Sequence, residues 1–239
     1  MIALLKYNYK FYIKCNKFMI PLLFFCLFQL IFYSEGPVHF TSSIMICSNV
    51  LFCIMTWIAF IYCETQDVRT EQIVFLKVNN NNSYWLSKII FLWIVGIVLS
   101  FIGVIWPIIA NLVKAGAFFE NNIGLIDLLL AFLIQVLVAF MGLLLGFIFQ
   151  TKITGTRNVA VTLLFLCTLL SIVKCALVNE CPIAKTIMWI FPPVSEVINS
   201  CMTLGKFSIS ILTIPIVHSV FYILILSFIY LKLMKKLLF

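Results

Sequence analysis

Six long apolar segments, separated by short polar ones, constrain the fold of this chain more than any other feature. About 20 apolar residues in a helix suffice to cross the hydrocarbon core of a bilayer. We predict spans at 18–33, 40–63, 87–110, 125–149, 159–178 and 209–231. Only 10% of the 239 residues are charged and 64% are apolar, which leaves little chain for a separate soluble domain. The predicted fold class is an all-α membrane protein, with one six-helix transmembrane domain over 18–239.

A basic amphipathic helix is predicted just before the first span, at residues 1–17. Its lysines recur at helical spacing and therefore lie on one stripe of the helix. They are Lys6, Lys10, Lys14 and Lys17. Such a helix lies in the membrane interface, with its lysines toward anionic head groups and its aromatic side chains toward the acyl chains. We therefore expect this segment to contact the membrane surface.

The distribution of basic residues predicts the orientation in the membrane. Both terminal segments and the loops 64–88 and 150–158 hold 12 of the 16 lysines and arginines. The positive-inside rule places those segments, and so both termini, in the cytoplasm. The net charge of +8 belongs to one membrane face and does not indicate nucleic-acid binding. We expect a multi-pass protein of a cell membrane.

The cytoplasmic loop 64–88 is more apolar than a solvated connection needs. Asp67 and Glu71 suit the start of a short helix, and Ile73–Leu76 make it apolar. The four asparagines at 79–82 then favour a turn. The helix is either a docking element for a soluble partner or an interfacial helix that serves only its own membrane surface. The sequence leaves both readings open.

The segment 179–208, between the last two spans, contains an apolar stretch that is too short to cross. The proline pair in its middle ends one helix, and a second helix can follow. This predicts a re-entrant or interfacial helical hairpin at the outer face. Its candidate residues are Trp189, Pro192, Pro193 and Glu196. Trp189 also fits a simple role in the aromatic belt.

Two cysteines of this outer segment, Cys181 and Cys201, can pair only in an oxidising compartment. Free buried thiols are the commoner outcome in a chain with nine cysteines, and we expect that outcome here.

Polar side chains inside the spans are candidates for a pathway or for hydrogen bonds between helices. They are Gln29, Asn49, Gln135 and His218. Gly142 and Gly146 form a GxxxG motif, which predicts close helix packing.

The sequence lacks the motifs of several classes of function. The sequence has no nucleotide-binding P-loop, no HExxH or GxSxG motif and no selectivity-filter signature. It has no acidic pair within a span, so a proton-driven antiporter is poorly supported. An energised transporter of this kind would depend on a separate motor subunit.

The arrangement resembles the permease subunit of an ABC exporter of the type-two permease class. The resemblance lies in the elbow helix Leu4–Lys17, the inner loop Glu64–Lys88 and the outer stretch Met188–Ile198. Asparagines occupy the turn of the inner loop, where the family pattern has glycine. In size the chain looks most like small Gram-positive permeases for peptide export or for immunity to lantibiotics and other bacteriocins.

The resemblance implies a transport subunit without catalytic residues, metal or cofactor of its own. ATP and Mg²⁺ would be held by a cytoplasmic ABC ATP-binding subunit, and the pathway would lie between two permease copies or two related permeases. The substrate would be an amphipathic peptide or a lipid-like molecule moved out of the cell. The residues expected to couple to the ATPase are Glu64, Asp67, Arg69, Glu71, Phe75 and Leu76.

Two other classes of function stay open. One is a membrane immunity or interaction protein that binds its partner without transport. The other is a small integral membrane enzyme that uses Asp127, Lys174 or His218.

Overall fold

The fold is all-α in a computed structural model that describes residues 1–78, 81–114, 116, 118–120, 123–181, 184–202, 207 and 209–237. That part is 85% helical and contains no strand. Its helices are α1 (Ile2–Lys14), α2 (Met19–Phe32), α3 (Phe40–Thr65), α4 (Val68–Leu76), α5 (Asn81–Val113), α6 (Leu125–Ile148), α7 (Thr151–Thr154), α8 (Arg157–Glu180), α9 (Ala184–Met188), α10 (Val194–Met202) and α11 (Ile209–Lys236). A short 3₁₀ turn, Asn16–Phe18, joins α1 to α2.

Within the described ranges, five helices are long and apolar enough to cross a membrane: α3, α5, α6, α8 and α11. The first predicted span is the exception. The helical stretch Asn16–Phe32 meets the same test only together with α1, from which it is bent by 73°. Its 17 residues rise about 26 Å, which is short of a hydrocarbon core of about 30 Å. The described residues therefore contain five helices that could span a membrane, or six if this bent pair forms one span.

The core of the bundle is the contact between α3 and α6, the most extensive helix pair. Gly142 and Gly146 lie in this contact. A Cβ atom at Gly142 would lie 2.5 Å from the carbonyl oxygen of Phe52, and one at Gly146 would lie 2.5 Å from that of Thr56. The two backbones thus approach closely only because both residues are glycine, which confirms the packing role predicted for the motif.

The loops lie at the two ends of the bundle, which we name the near face and the far face. On the near face, Asn8 Nδ2 of α1 donates to Ser87 Oγ of α5 at 3.3 Å, and Gln150 Nε2 donates to the Met234 sulfur of α11 at 2.9 Å. This face therefore carries both termini. On the far face, Lys114 Nζ donates to the Ser34 carbonyl at 2.7 Å.

The orientation of these faces can be tested with a native thiol. Cys181 is exposed at the far-face end of α8, so a membrane-impermeant maleimide should label it on intact cells. Cys181→Ser should remove that labelling. In this background, Leu76→Cys on the near face should react only after lysis. Labelling of Leu76→Cys on intact cells would invert the predicted topology and exclude a cytoplasmic role for α4.

Candidate functional site

The short helix α4 is fastened to the bundle through Glu71. This side chain is turned inward and only 8% exposed. Its Oε1 accepts a hydrogen bond from Lys88 Nζ of α5 at 2.6 Å, and its Oε2 pairs with Lys152 of α7. One carboxylate therefore joins the loop after α3, the start of α5 and the segment after α6.

Lys88 is buried, at 2% exposed, and its ammonium group is fully surrounded. It donates to Gln66 as well as to Glu71, and it lies over the rings of Tyr84 and Trp85 at 4.5 and 4.6 Å from their centroids. Burying a charge is costly unless it is paired and hydrogen-bonded, and these contacts offset that cost. We name Glu71, Lys88, Lys152 and Gln66 the near-face cluster.

Glu64 makes a second link beside this cluster. Its Oε1 accepts from the hydroxyl of Thr151 at 2.5 Å and from the backbone N–H of the same residue at 3.3 Å. Glu64 and Glu71 thus have partners within the chain, since both point toward the bundle. A contact of either residue with an ATPase subunit stays a prediction.

The opposite side of α4 is open. Leu76 is 85% exposed and Ile73 is 57% exposed, and Arg69 is exposed on the same side. Asp67 is also exposed, one turn before Glu71. The side chain of Phe75, predicted as an anchor, lies outside the described part of the structure. So do residues 79–80 of the predicted asparagine turn, after which the helix α5 begins at Asn81.

Lys6, Lys10 and Lys14 are exposed on α1, whereas Lys17 is exposed in the 3₁₀ turn that follows, because the helix predicted to reach residue 17 ends at Lys14. The other side of the helix differs from the expectation, because part of it packs against protein. Asn8 is fully buried, and the ring of Phe11 meets that of Tyr62 edge-on at 5.8 Å. Tyr9 and Ile13 remain 57% exposed each. The helix thus has a basic side, an apolar exposed side and a side docked on the bundle.

The polar residues predicted inside the spans do not converge on one place. Gln29 Nε2 donates to the thiol of Cys47, and Gln135 is fully buried beside the same thiol. These two link α2, α3 and α6, which fits contact between helices. Asn49 is half-buried on α3, and its side-chain oxygen has no hydrogen-bond partner among the described residues. A pathway role for these residues stays a prediction.

His218 belongs to a different cluster at the far face. Its Nδ1 lies 2.9 Å from Glu196 Oε2, and Lys174 Nζ lies 2.7 Å from Glu196 Oε1. Lys174 is 4% exposed and also donates to the carbonyl of Phe191 at 3.3 Å. We name Lys174, Glu196 and His218 the far-face cluster. It joins α8, α10 and α11.

The pKa of Glu196 reflects these contacts. Burial alone would raise it, but hydrogen bonds and charge from Lys174 and His218 outweigh burial and hold the pKa below its ordinary value. Glu196 is therefore an ionised partner for Lys174 at neutral pH.

The predicted break at Pro192 and Pro193 is present. Both prolines are buried between α9 and α10, and the following helix carries Glu196. Trp189, just before the break, is 60% exposed. A cleft of about 370 Å³ opens between these elements, lined by Lys174, Cys175, Val178, Asn179, Lys185, Trp189, Glu196 and His218.

Of the three residues considered for a membrane enzyme, only two lie together. Lys174 and His218 come together, but Asp127 lies at the start of α6, where its Oδ2 accepts from the backbone N–H of Gly124 at 3.0 Å. That is a helix cap. The thiols of Cys181 and Cys201 are both free, the first exposed and the second buried.

Comparisons with protein-family models, with curated proteins and with solved structures find no match to this chain.

Proposed function

We propose that this chain is the membrane permease subunit of an ATP-driven ABC exporter in a bacterial cell membrane. It moves an amphipathic substrate outward, together with a cytoplasmic ATP-binding subunit that holds ATP and Mg²⁺. A second copy of the chain, or a related permease, completes the pathway. The observation that carries the proposal is α4, a helix that exposes Leu76 and Ile73 on one side and is fastened to the bundle by Glu71 on the other.

The order of elements supports the same proposal. The amphipathic α1 is bent by 73° from the next helix, a short helix stands between α3 and α5, and a broken helical segment stands between α8 and α11. This order fits the permease plan that the sequence resembles.

The near-face cluster supplies a route for mechanical coupling. Closure of the ATP-binding subunits would press on the exposed side of α4. Because Glu71 holds both Lys88 and Lys152, the displacement would pass to α5 and to α7, which leads directly into α8. Gln150 would extend it to α11 through its contact with Met234. The chain performs no covalent chemistry in this mechanism.

The proposal predicts that the exposed residues of α4 hold the ATPase. Ile73→Asp together with Leu76→Asp should abolish capture of the ATP-binding subunit, because each buried apolar anchor contributes about 2 kcal/mol to an interface. The matched control is Leu125→Asp, since Leu125 is 81% exposed but begins α6 on the far face. The measurement is a pull-down from the native membrane, with ATPase activity assayed in the eluate.

We expect ATPase activity with the wild type and the Leu125→Asp control, and none with the double variant. The bundle should stay folded in all three, since these side chains make few internal contacts. If the wild type captures no ATP-binding protein, the exporter proposal fails and a non-transporting immunity or interaction protein becomes the better account.

A further inference from the structure

Two members of the far-face cluster, Lys174 and His218, lie on helices that are long and apolar enough to span a membrane, where charged side chains are costly. Lys174 is six residues from the end of α8 at Glu180, and His218 is nine residues from the start of α11 at Ile209. At 1.5 Å per residue they lie about 9 Å and about 14 Å from the helix ends. Ionisable residues at such a depth mark binding sites or pathways by default.

The cleft above this cluster carries an excess of positive charge. Lys174 and Glu196 balance each other at 2.7 Å. Lys185, which lines the same cleft, is exposed and makes no ion pair among the described residues. An anionic group is therefore favoured in the cleft, and a cationic one is disfavoured.

An apolar groove begins where the cleft ends, and His218 lines both. The groove lies along one face of α11, where Thr213, Ile214 and Val217 line it on the outer side of His218 and Phe221 lines it one turn deeper. The exposed apolar face of α11 continues inward with Leu224 and Phe228. Ile214 and Val217 are 77% and 68% exposed. A cationic cleft thus adjoins an exposed apolar face of α11.

We propose that this far-face site binds one anionic lipid, with its phosphate head group in the cleft and an acyl chain along the groove of α11. The charge of Lys185 selects the head group, while Trp189 at the rim provides an apolar surface of the kind found at membrane interfaces. The site stands whether or not the chain exports a substrate. The lipid site goes beyond the proposed function, which rests on α4 at the near face.

The test uses the purified full chain in a non-ionic detergent, without any ATPase. Equal amounts of phosphatidylglycerol and phosphatidylcholine with identical acyl chains are added, and native mass spectrometry counts the lipids retained. We expect selective retention of one phosphatidylglycerol. Lys185→Gln should weaken phosphatidylglycerol binding about fivefold and Lys185→Glu about 25-fold, because each unit of charge changes the affinity about fivefold. Because Lys185 is exposed, neither change should disturb folding.

The matched control is Lys114→Gln, which removes an equally exposed lysine from the same face and should leave retention unchanged. A variant lacking the lysines of α1 controls for lipid held at the near face. Equal retention of both lipids, or selectivity that is lost with the α1 lysines but survives Lys185→Glu, would overturn the proposal. Displacement of phosphatidylglycerol by inorganic phosphate as readily as by its dihexanoyl analogue would overturn it too, because the site would then take a free anion.

Discussion

Replacement of Glu71 by alanine is expected to lower the free energy of unfolding by about 3–5 kcal/mol, or the Tm by about 10 °C. The reason is that two ammonium groups depend on this one carboxylate. The side chain of Lys88 is 3% exposed and that of Lys152 is 30% exposed, so Lys88 in particular would be left buried without a counter-charge. Thermal unfolding of the purified chain in detergent measures the effect.

A double variant separates the ion pair from the shape of the loop. Glu71→Gln with Lys88→Met removes the carboxylate and the more buried cation together, and it should regain at least half of the stability lost in Glu71→Gln alone. Asp67→Ala is the matched control, since Asp67 is an exposed acid one turn away. Equal Tm values for Glu71→Ala and Asp67→Ala would show that the near-face cluster does not hold α4.

The long helices were predictable because hydrophobic length determines them. The predicted span 40–63 corresponds to Phe40–Thr65, and 125–149 corresponds to Leu125–Ile148. The start of α5 was placed too late, at 87, although the helix begins at Asn81. Asparagine favours helix starts as well as turns. The asparagine run therefore predicts a helix boundary but does not determine the residue at which the helix begins.

The two charged clusters were not predictable as pairs, because their members are distant in sequence. Glu71 and Lys88 are 17 residues apart, and Lys174 and Glu196 meet only when α10 folds back on α8. The sequence did carry a signal for both. Lys88 and Lys174 each fall inside a predicted apolar span, and a charge in that position requires a counter-ion.

The need of a buried lysine for a counter-ion also explains why Glu71 and Glu196 make contacts inside the chain. Glu71 was read as a surface contact because its helix is short and lies between spans. An acid in a loop next to a buried lysine pairs with that lysine, because each charge offsets the free-energy cost of burying the other. Glu196 was likewise assigned to the outer hairpin alone, although it is the partner of both Lys174 and His218.

Leucine at Gly146 is expected to cost about 3 kcal/mol or more, because the α3–α6 contact leaves no room for a side chain. Even a Cβ at this position would lie 2.5 Å from the carbonyl oxygen of Thr56 and 2.7 Å from the Cβ of Ala59. The first of these atoms is backbone, so the two helices would have to separate. Overpacking of this kind typically costs about 1–3 kcal/mol, and more when the backbone must move.

A graded series isolates the packing effect from helix propensity. Gly146→Ala should be destabilised less than Gly146→Leu, while Gly96→Ala should be neutral or slightly stabilised. The nearest atom to a Cβ at Gly96 is the terminal methyl of Met55 at 3.1 Å, which can move aside, and alanine favours a helix over glycine by about 1 kcal/mol. Thermal unfolding in detergent would rank the three variants. A loss at Gly96 equal to that at Gly146 would mean that glycine is needed for something other than the close approach of α3 to α6, and the packing account of the bundle core would fail.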